Sequence, residues 1–154
     1  MIPAPKNLFR SLSHLLAALF NNRLRFERQW QEYQPSAMSA NSIEGRWEGE
    51  WISEVNGHHG GLRCILSRTG AGDYHADFHA TYSKVLRVCY SVDLSVREAN
   101  GRFLLKGEAN LGRLAGGIYY YEGEATPAEF KCSYRCKYDH GTFHMTRRDQ
   151  VQTS

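Results

Sequence analysis

The chain has 154 residues, a net charge of +3, 14 glycines, nine tyrosines and seven phenylalanines, but only four prolines. That length supports one domain with a sizeable core, and the glycine- and aromatic-rich composition reads as a β-rich globular protein with tight turns. The charge is too small, and its basic residues too mixed with acids, for a nucleic-acid surface.

The first 34 residues differ from the rest. In "NLFRSLSHLLAALFNNRLRFERQWQEY" the side chains Leu8, Leu12, Leu15, Leu19, Phe26, Trp30 and Tyr33 recur at helical spacing, with Arg10, Arg23, Arg25 and Arg28 interspersed. Asn7 suits an N-cap with Pro5 just before it, so one long amphipathic helix is expected, with a break near Asn21-Asn22. The apolar run from Leu15 to Phe20 is far shorter than the roughly 20 residues of a membrane span. No small-residue cleavage site follows it, as a secretory signal would require. A basic helix with Leu, Phe and Trp on its other face suits an anionic lipid surface. Packing on the protein itself, or on a second copy, is the favoured reading. The small polar stretch "QPSAMSANS" then reads as a linker. The organisation expected is a helical extension over 1–34, a linker over 35–43, a barrel over 44–148 and a polar tail over 149–154.

From Glu44 the period becomes two. "EGRWEGEWI" (44–52), "GLRCILSR" (61–68), "DYHADFHATY" (73–82) and "VLRVCYSVDLSVR" (85–97) are followed by "RFLLKGEANL" (102–111), "GIYYYEGEA" (117–125), "EFKCSYRCKY" (129–138) and "GTFHMTRR" (141–148). These make eight strands separated by short turn signals such as "NGHHG", "TGAG", "EANG" and "YDHG". The fold class expected is all-β, an eight-stranded antiparallel up-and-down barrel behind an N-terminal amphipathic helix. A two-sheet sandwich would need longer crossing connections.

"GRWEGEW" on the first strand and "TFHMTRR" on the last carry a family resemblance. A Gly-x-Trp at the start and an arginine at the end resemble the calycin barrels: lipocalins, fatty-acid-binding proteins and avidin-like proteins. The resemblance implies that Trp47 seals one end of the barrel and that Arg147 or Arg148 stacks on its face. Trp51, in the second repeat "GEW", is read as a second inward aromatic plug.

In this topology alternate hairpins share an end. One end collects His58, His59, Lys84, Arg113, Asp139 and His140 as candidate ligand-binding groups. Beneath them Tyr82, Tyr90, Tyr120, Tyr134 and Tyr138 are placed on the inner face, where each hydroxyl needs a partner: another hydroxyl, water or a polar ligand. Glu122 and Glu124 face inward only if the sixth strand keeps that phase. His75, Asp77 and His79 fall on the outer face as a solvated stripe.

Cys64, Cys89, Cys132 and Cys136 lack the paired spacing of a zinc site. Cys132 and Cys136 would lie roughly 13 Å apart on one strand, too far to bridge. Reduced core thiols are the simpler reading beside two long-range disulfides, and they point weakly to the cytoplasm, with a membrane-peripheral location open through the helix. His58, His59, Asp139 and His140 match no ligand pattern, so neither a metal nor a cofactor is expected. No nucleophile and base assemble, so no catalytic residue is named.

Two functions remain. The barrel binds a small apolar or aromatic molecule, or it is a filled interaction module that associates with a membrane surface or with itself through the helix. Ala76, Ala80, Gly107 and Ala109 argue for unfilled volume. Trp47, Trp51, Phe78, Phe103, Phe130 and Phe143 argue for filling.

Overall fold

Each apolar-polar alternation after Ser42 becomes a strand hydrogen-bonded to its neighbours in sequence. The structure, a computed structural model, describes residues 21–34, 41–82 and 84–149. The strands are β1 (Gly45–Ser53), β2 (His59–Gly70), β3 (Asp73–Thr81), β4 (Arg87–Ala99), β5 (Arg102–Asn110), β6 (Ile118–Ala125), β7 (Glu129–Arg135) and β8 (His140–Arg147). All pairings are antiparallel, and β1 also pairs with β8, closing the barrel. This is the expected up-and-down cylinder, of calycin-like architecture.

One end of the cylinder is sealed. Trp47 is fully buried, its indole Nε1 donates to the Ile43 carbonyl at 3.0 Å, and its ring meets Phe130 edge-on at 5.7 Å. The Arg147 guanidinium lies 5.1 Å from the Trp47 ring centroid and donates to the Ser42 carbonyl. Of the two arginines the resemblance offered, Arg147 therefore takes the stacking place. Arg148 instead pairs with Glu48 on the outer surface at 2.7 Å. Above Trp47 the middle of the barrel is packed by Phe78, Phe130 and Phe143, with ring centroids 5.7–5.9 Å apart along the chain of contacts.

The phase of β6 corrects the sequence reading. Tyr119, Tyr121, Gly123 and Ala125 face the interior, whereas Tyr120 is 41 % exposed and its ring carries the Arg135 guanidinium at 4.8 Å. Glu122 and Glu124 consequently point outward, and Glu124 accepts from Arg102 at 2.6 Å. The physical reason is the cost of burying two carboxylates without partners. Tyr138 is a second correction. β7 ends at Arg135, a turn follows in which the Cys136 amide donates to the Asp139 carbonyl at 2.7 Å, and Tyr138 sits on that turn, 68 % exposed.

Residues 21–32 form a helix, α1, that lies on the outside of the barrel. The part of the expected helix before Asn21, including the Asn7 cap, falls outside the described residues. Phe26 and Trp30 are buried against Ile65, with Tyr33 and Cys89 beside them. Two outer-face arginines complete the joint. Arg63 pairs with Glu27 and lies 5.3 Å and 5.1 Å from the Phe26 and Trp30 rings. Arg46 donates to the Trp30 carbonyl at 2.9 Å and pairs with Asp149, a residue assigned from sequence to the polar tail. The described half of the amphipathic stripe thus faces the barrel. No helix among the described residues is long and apolar enough to cross a membrane.

The helix also overturns the solvated reading of His79. This residue is 4 % exposed, stacks on Phe26 at 5.3 Å, and its Nδ1 faces the Arg63 guanidinium at 3.4 Å. An Arg donor makes Nδ1 the acceptor, which leaves Nε2 carrying the hydrogen, without a partner among the described residues. Burial, and after it the Arg63 charge, holds the His79 pKa below the usual histidine value. With a depressed folded pKa the unfolded chain binds the proton first, so stability is complete above about pH 6.5 and falls as pH drops through the folded value. His75, on the same outer face but beyond the cover of α1, works in the opposite sense, because its bond to Asp93 at 2.7 Å raises its pKa. The His79→Leu variant is therefore expected to lose less stability than the native protein between about pH 7.5 and about pH 5. Urea unfolding at the two pH values checks this, and equal losses would remove His79 as the acid-sensitive group.

Candidate functional site

The end of the barrel opposite Trp47 is open. A cavity of about 390 Å³ lies there, walled by Trp51, Leu62, Ala80, Val88, Tyr90 and Tyr121, and floored by Phe143. Tyr82, Leu86, Leu111 and Ala115 form its outer rim, with Tyr119 and Tyr134 on the side of β6 and β7. Close packing of the barrel interior thus stops at the level of Phe78 and Phe143, and the side chains above them line the cavity without filling it.

Small residues explain part of this space, but not all those expected. Ala80 lines the cavity. Gly107 has a different reason: a Cβ there would stand 2.6 Å from the Asp93 carbonyl oxygen and 2.7 Å from the Leu94 side chain. Its missing side chain lets β4 and β5 approach each other, and it adds no room for a ligand.

The aromatic groups are ordered by contacts to one another. Tyr90 stacks on Phe78 at 5.1 Å, and its hydroxyl interacts with that of Tyr121. The Tyr119 hydroxyl reaches the Cys136 thiol. Tyr134 donates to Asp139 Oδ2 at 3.4 Å, and Ser53 donates to Asp139 Oδ1 at 2.5 Å. Tyr82 lies against Trp51 with centroids 4.6 Å apart, and the Trp51 Nε1 donates to the Thr81 carbonyl at 3.1 Å. Burial raises the phenol pKa of Tyr82, Tyr90, Tyr119, Tyr121 and Tyr134, so all are neutral hydrogen-bonding groups at physiological pH. The Cys132 thiol, deeper in the barrel, is pushed up to about 12 by burial and is protonated at physiological pH.

Three of the five tyrosines placed inside from the sequence, Tyr82, Tyr90 and Tyr134, line the cavity. Tyr120 and Tyr138 do not, for the reasons given above. Tyr119 and Tyr121 were missed, although the outward phase of Glu122 and Glu124 was a signal for them. Trp51, expected as a second plug, is a wall of the cavity instead, because β1 carries it two pleat repeats away from Trp47 toward the mouth.

The ionisable rim groups share one end, as the topology requires, but they do not converge. His58, His59, Lys84, Arg113 and His140 are exposed. His140 lies 3.6 Å from Glu54, and only Asp139 reaches the cavity edge, through Tyr134. Among the described residues no three His, Cys, Asp or Glu side chains are grouped to hold a metal. The cavity wall carries no lysine or arginine among the described residues. The arrangement therefore offers ring faces and neutral hydroxyls to a ligand, and among the described residues no cation within the cavity wall itself.

Fold and site together define the class: a calycin-like eight-stranded barrel with an aromatic cavity at its open end. No family model matches the chain, and no curated protein matches it. Among solved structures it is similar to a redesigned β-barrel, with a TM-score of 0.51 and 12 % identity over 70 % of this chain and 92 % of that one. A point mutant of the fluorescent protein UnaG gives a TM-score of 0.41 at 8 % identity, over 70 % of this chain and 97 % of that one. Fatty-acid-binding protein 1 of Echinococcus granulosus gives 0.38 at 14 %, over 72 % of this chain and 99 % of that one. At these identities the likeness is one of fold.

Proposed function

We propose that the protein binds a small, largely apolar molecule with an aromatic or flat part, held between the rings of Trp51, Tyr82, Tyr90 and Tyr121. The observation that carries this reading is the cavity itself: about 390 Å³ of unfilled space enclosed by aromatic walls at the open end of an otherwise packed barrel. Pockets of this size and lining are the usual sites of small ligands. Neutral phenols orient a carbonyl, ether or ring nitrogen. A cavity wall without a cation among the described residues disfavours a carboxylate held deep in the barrel, which would be desolvated without a counter-charge.

A tethered interaction module is less favoured, because among the described residues of the helix stripe Phe26 and Trp30 are buried on the barrel and Tyr33 packs beside them.

The test is titration with a neutral solvatochromic dye such as Nile red, monitored by dye emission and Trp51 quenching. Saturable binding is expected. The Ala80→Phe variant, which pushes a ring into the cavity, is expected to weaken binding at least about tenfold, equivalent to ~1.4 kcal/mol. An alkanoate of similar length should not compete. Unaltered dye affinity in a folded Ala80→Phe protein would place the ligand elsewhere.

A further inference from the structure

The open end differs from the sealed end in surface chemistry. Apart from Leu24 on α1, every exposed large hydrophobic side chain among the described residues lies at the mouth or on the strand ends beside it. Val85 is 92 % exposed, and Val55, Leu86 and Ile118 stand on three different loops or loop edges around the opening. Tyr120 and Tyr138 continue the ring on the β6–β7 side. A soluble surface does carry single apolar residues, but their concentration on one rim marks an interaction site.

Charge separates the ends in the same way. The mouth segments 54–59, 82–87, 111–118 and 135–140 contain five cations, Lys84, Arg87, Arg113, Arg135 and Lys137, against two carboxylates, Glu54 and Asp139. None of the five is ion-paired among the described residues. Asp139 is engaged by Ser53 and Tyr134, and Glu54 lies near His140. At the sealed end the segments 44–48, 68–73, 97–102, 124–131 and 147–149 hold seven cations and seven carboxylates. There Arg46, Arg102, Lys131 and Arg148 are all paired.

We propose that the rim of the mouth docks on an anionic lipid bilayer, with Val55, Val85, Leu86 and Tyr138 entering the interface and the five rim cations meeting lipid phosphates. Exposed apolar side chains among unpaired cations are the chemistry of interfacial binding. The barrel opening then faces the lipid, the phase in which an apolar ligand concentrates. The docking surface goes beyond the ligand reading and does not depend on it.

The experiment is co-sedimentation of the full chain with vesicles of phosphatidylcholine alone and of phosphatidylcholine mixed with phosphatidylglycerol. The native protein is expected to bind the mixed vesicles only, and to be released at about 0.5 M salt. A basic residue near such a surface contributes roughly fivefold in partitioning, so Lys84→Glu combined with Lys137→Glu is expected to reduce binding by at least about twentyfold. Val85→Asp should also lose most of it. Arg97→Glu combined with Lys131→Glu, on the sealed end, is the control and should bind as the native protein does. All these positions are exposed, and an unchanged thermal transition verifies the fold. Failure of the native protein to bind the mixed vesicles overturns the proposal, as does equal loss in rim and control variants. If the rim variants bind fully while Arg10→Glu abolishes binding, the N-terminal segment is the lipid-contacting surface and the rim is not.

Discussion

Trp47→Ala is expected to destabilise the protein by about 3–5 kcal/mol, the range for truncating a buried large aromatic. For a chain of this length that corresponds to a fall in Tm of very roughly 6–20 °C. Three contacts are lost together. The indole fills the sealed end between Ile43 and Phe130, its Nε1 satisfies the Ile43 carbonyl, and its face carries the Arg147 guanidinium. Arg147 is already costly to bury: desolvation lowers its pKa, and its Nε has no partner among the described residues. Removing the ring leaves that cation half-buried above a void. Trp47→Phe keeps a ring face for Arg147 but loses the bond to Ile43, about 1 kcal/mol, and should fall between the native protein and the alanine variant. Chemical denaturation of the three proteins tests the order. A loss under about 1 kcal/mol for Trp47→Ala would mean that the sealed end does not depend on this ring.

The same residues show what a sequence can reveal. Trp47 was legible through the resemblance of its Gly-x-Trp to the calycin barrels, which left Arg147 and Arg148 as alternatives for its partner, and the strands were legible because they alternate cleanly. Tyr74, Ala76, Phe78 and Ala80 allow one phase only. The run Tyr119-Tyr120-Tyr121 allows either, since each phase puts a tyrosine inside. The decisive information lay two and four residues on, in Glu122 and Glu124, whose burial would cost far more than the exposure of one tyrosine.

His79 was illegible for another reason. Its strand position is outward, and only the arrival of α1 buries it, an event that depends on Phe26 more than fifty residues earlier in the chain. The outer-face arginines Arg46 and Arg63 are equally mute in sequence, since an exposed arginine and one that clasps a helix look alike. The cavity was half legible. Tyr82, Tyr90 and Tyr134 were placed, but whether rings above Phe143 meet across the barrel is a matter of volumes, and alternation carries no volume. Trp51 shows the difference: the same face as Trp47, the opposite end, and a different job.

Gly49→Ala is expected to be among the most damaging single-methyl changes in the barrel. Gly49 lies between the two tryptophans of "GRWEGEW" and pairs with Leu62 on one side and Met145 on the other. A Cβ built there would stand 1.8 Å from the His144 carbonyl oxygen and 2.7 Å from the Met145 Cα. Both are backbone atoms of β8, so no side-chain rotation relieves the overlap. Relief requires β1 and β8 to separate by more than 1 Å at the seam where the first and last strands close the cylinder. Small barrels need such glycines where a strand coils sharply under its neighbour. Overpacking of a core typically costs about 1–3 kcal/mol, and a backbone clash at the seam should reach or exceed the top of that range. Gly101→Ala is the matched control. Its φ of +74° strains any L residue, but nothing lies within 4 Å of the new methyl, so the cost is the conformational one alone, about 1–2 kcal/mol. Denaturant midpoints of the two variants, with near-ultraviolet circular dichroism reporting on Trp47 and Trp51, distinguish strain from collision. If Gly49→Ala proves no worse than Gly101→Ala, β1 and β8 are not in close approach at Gly49, and the glycine between the tryptophans needs a different explanation.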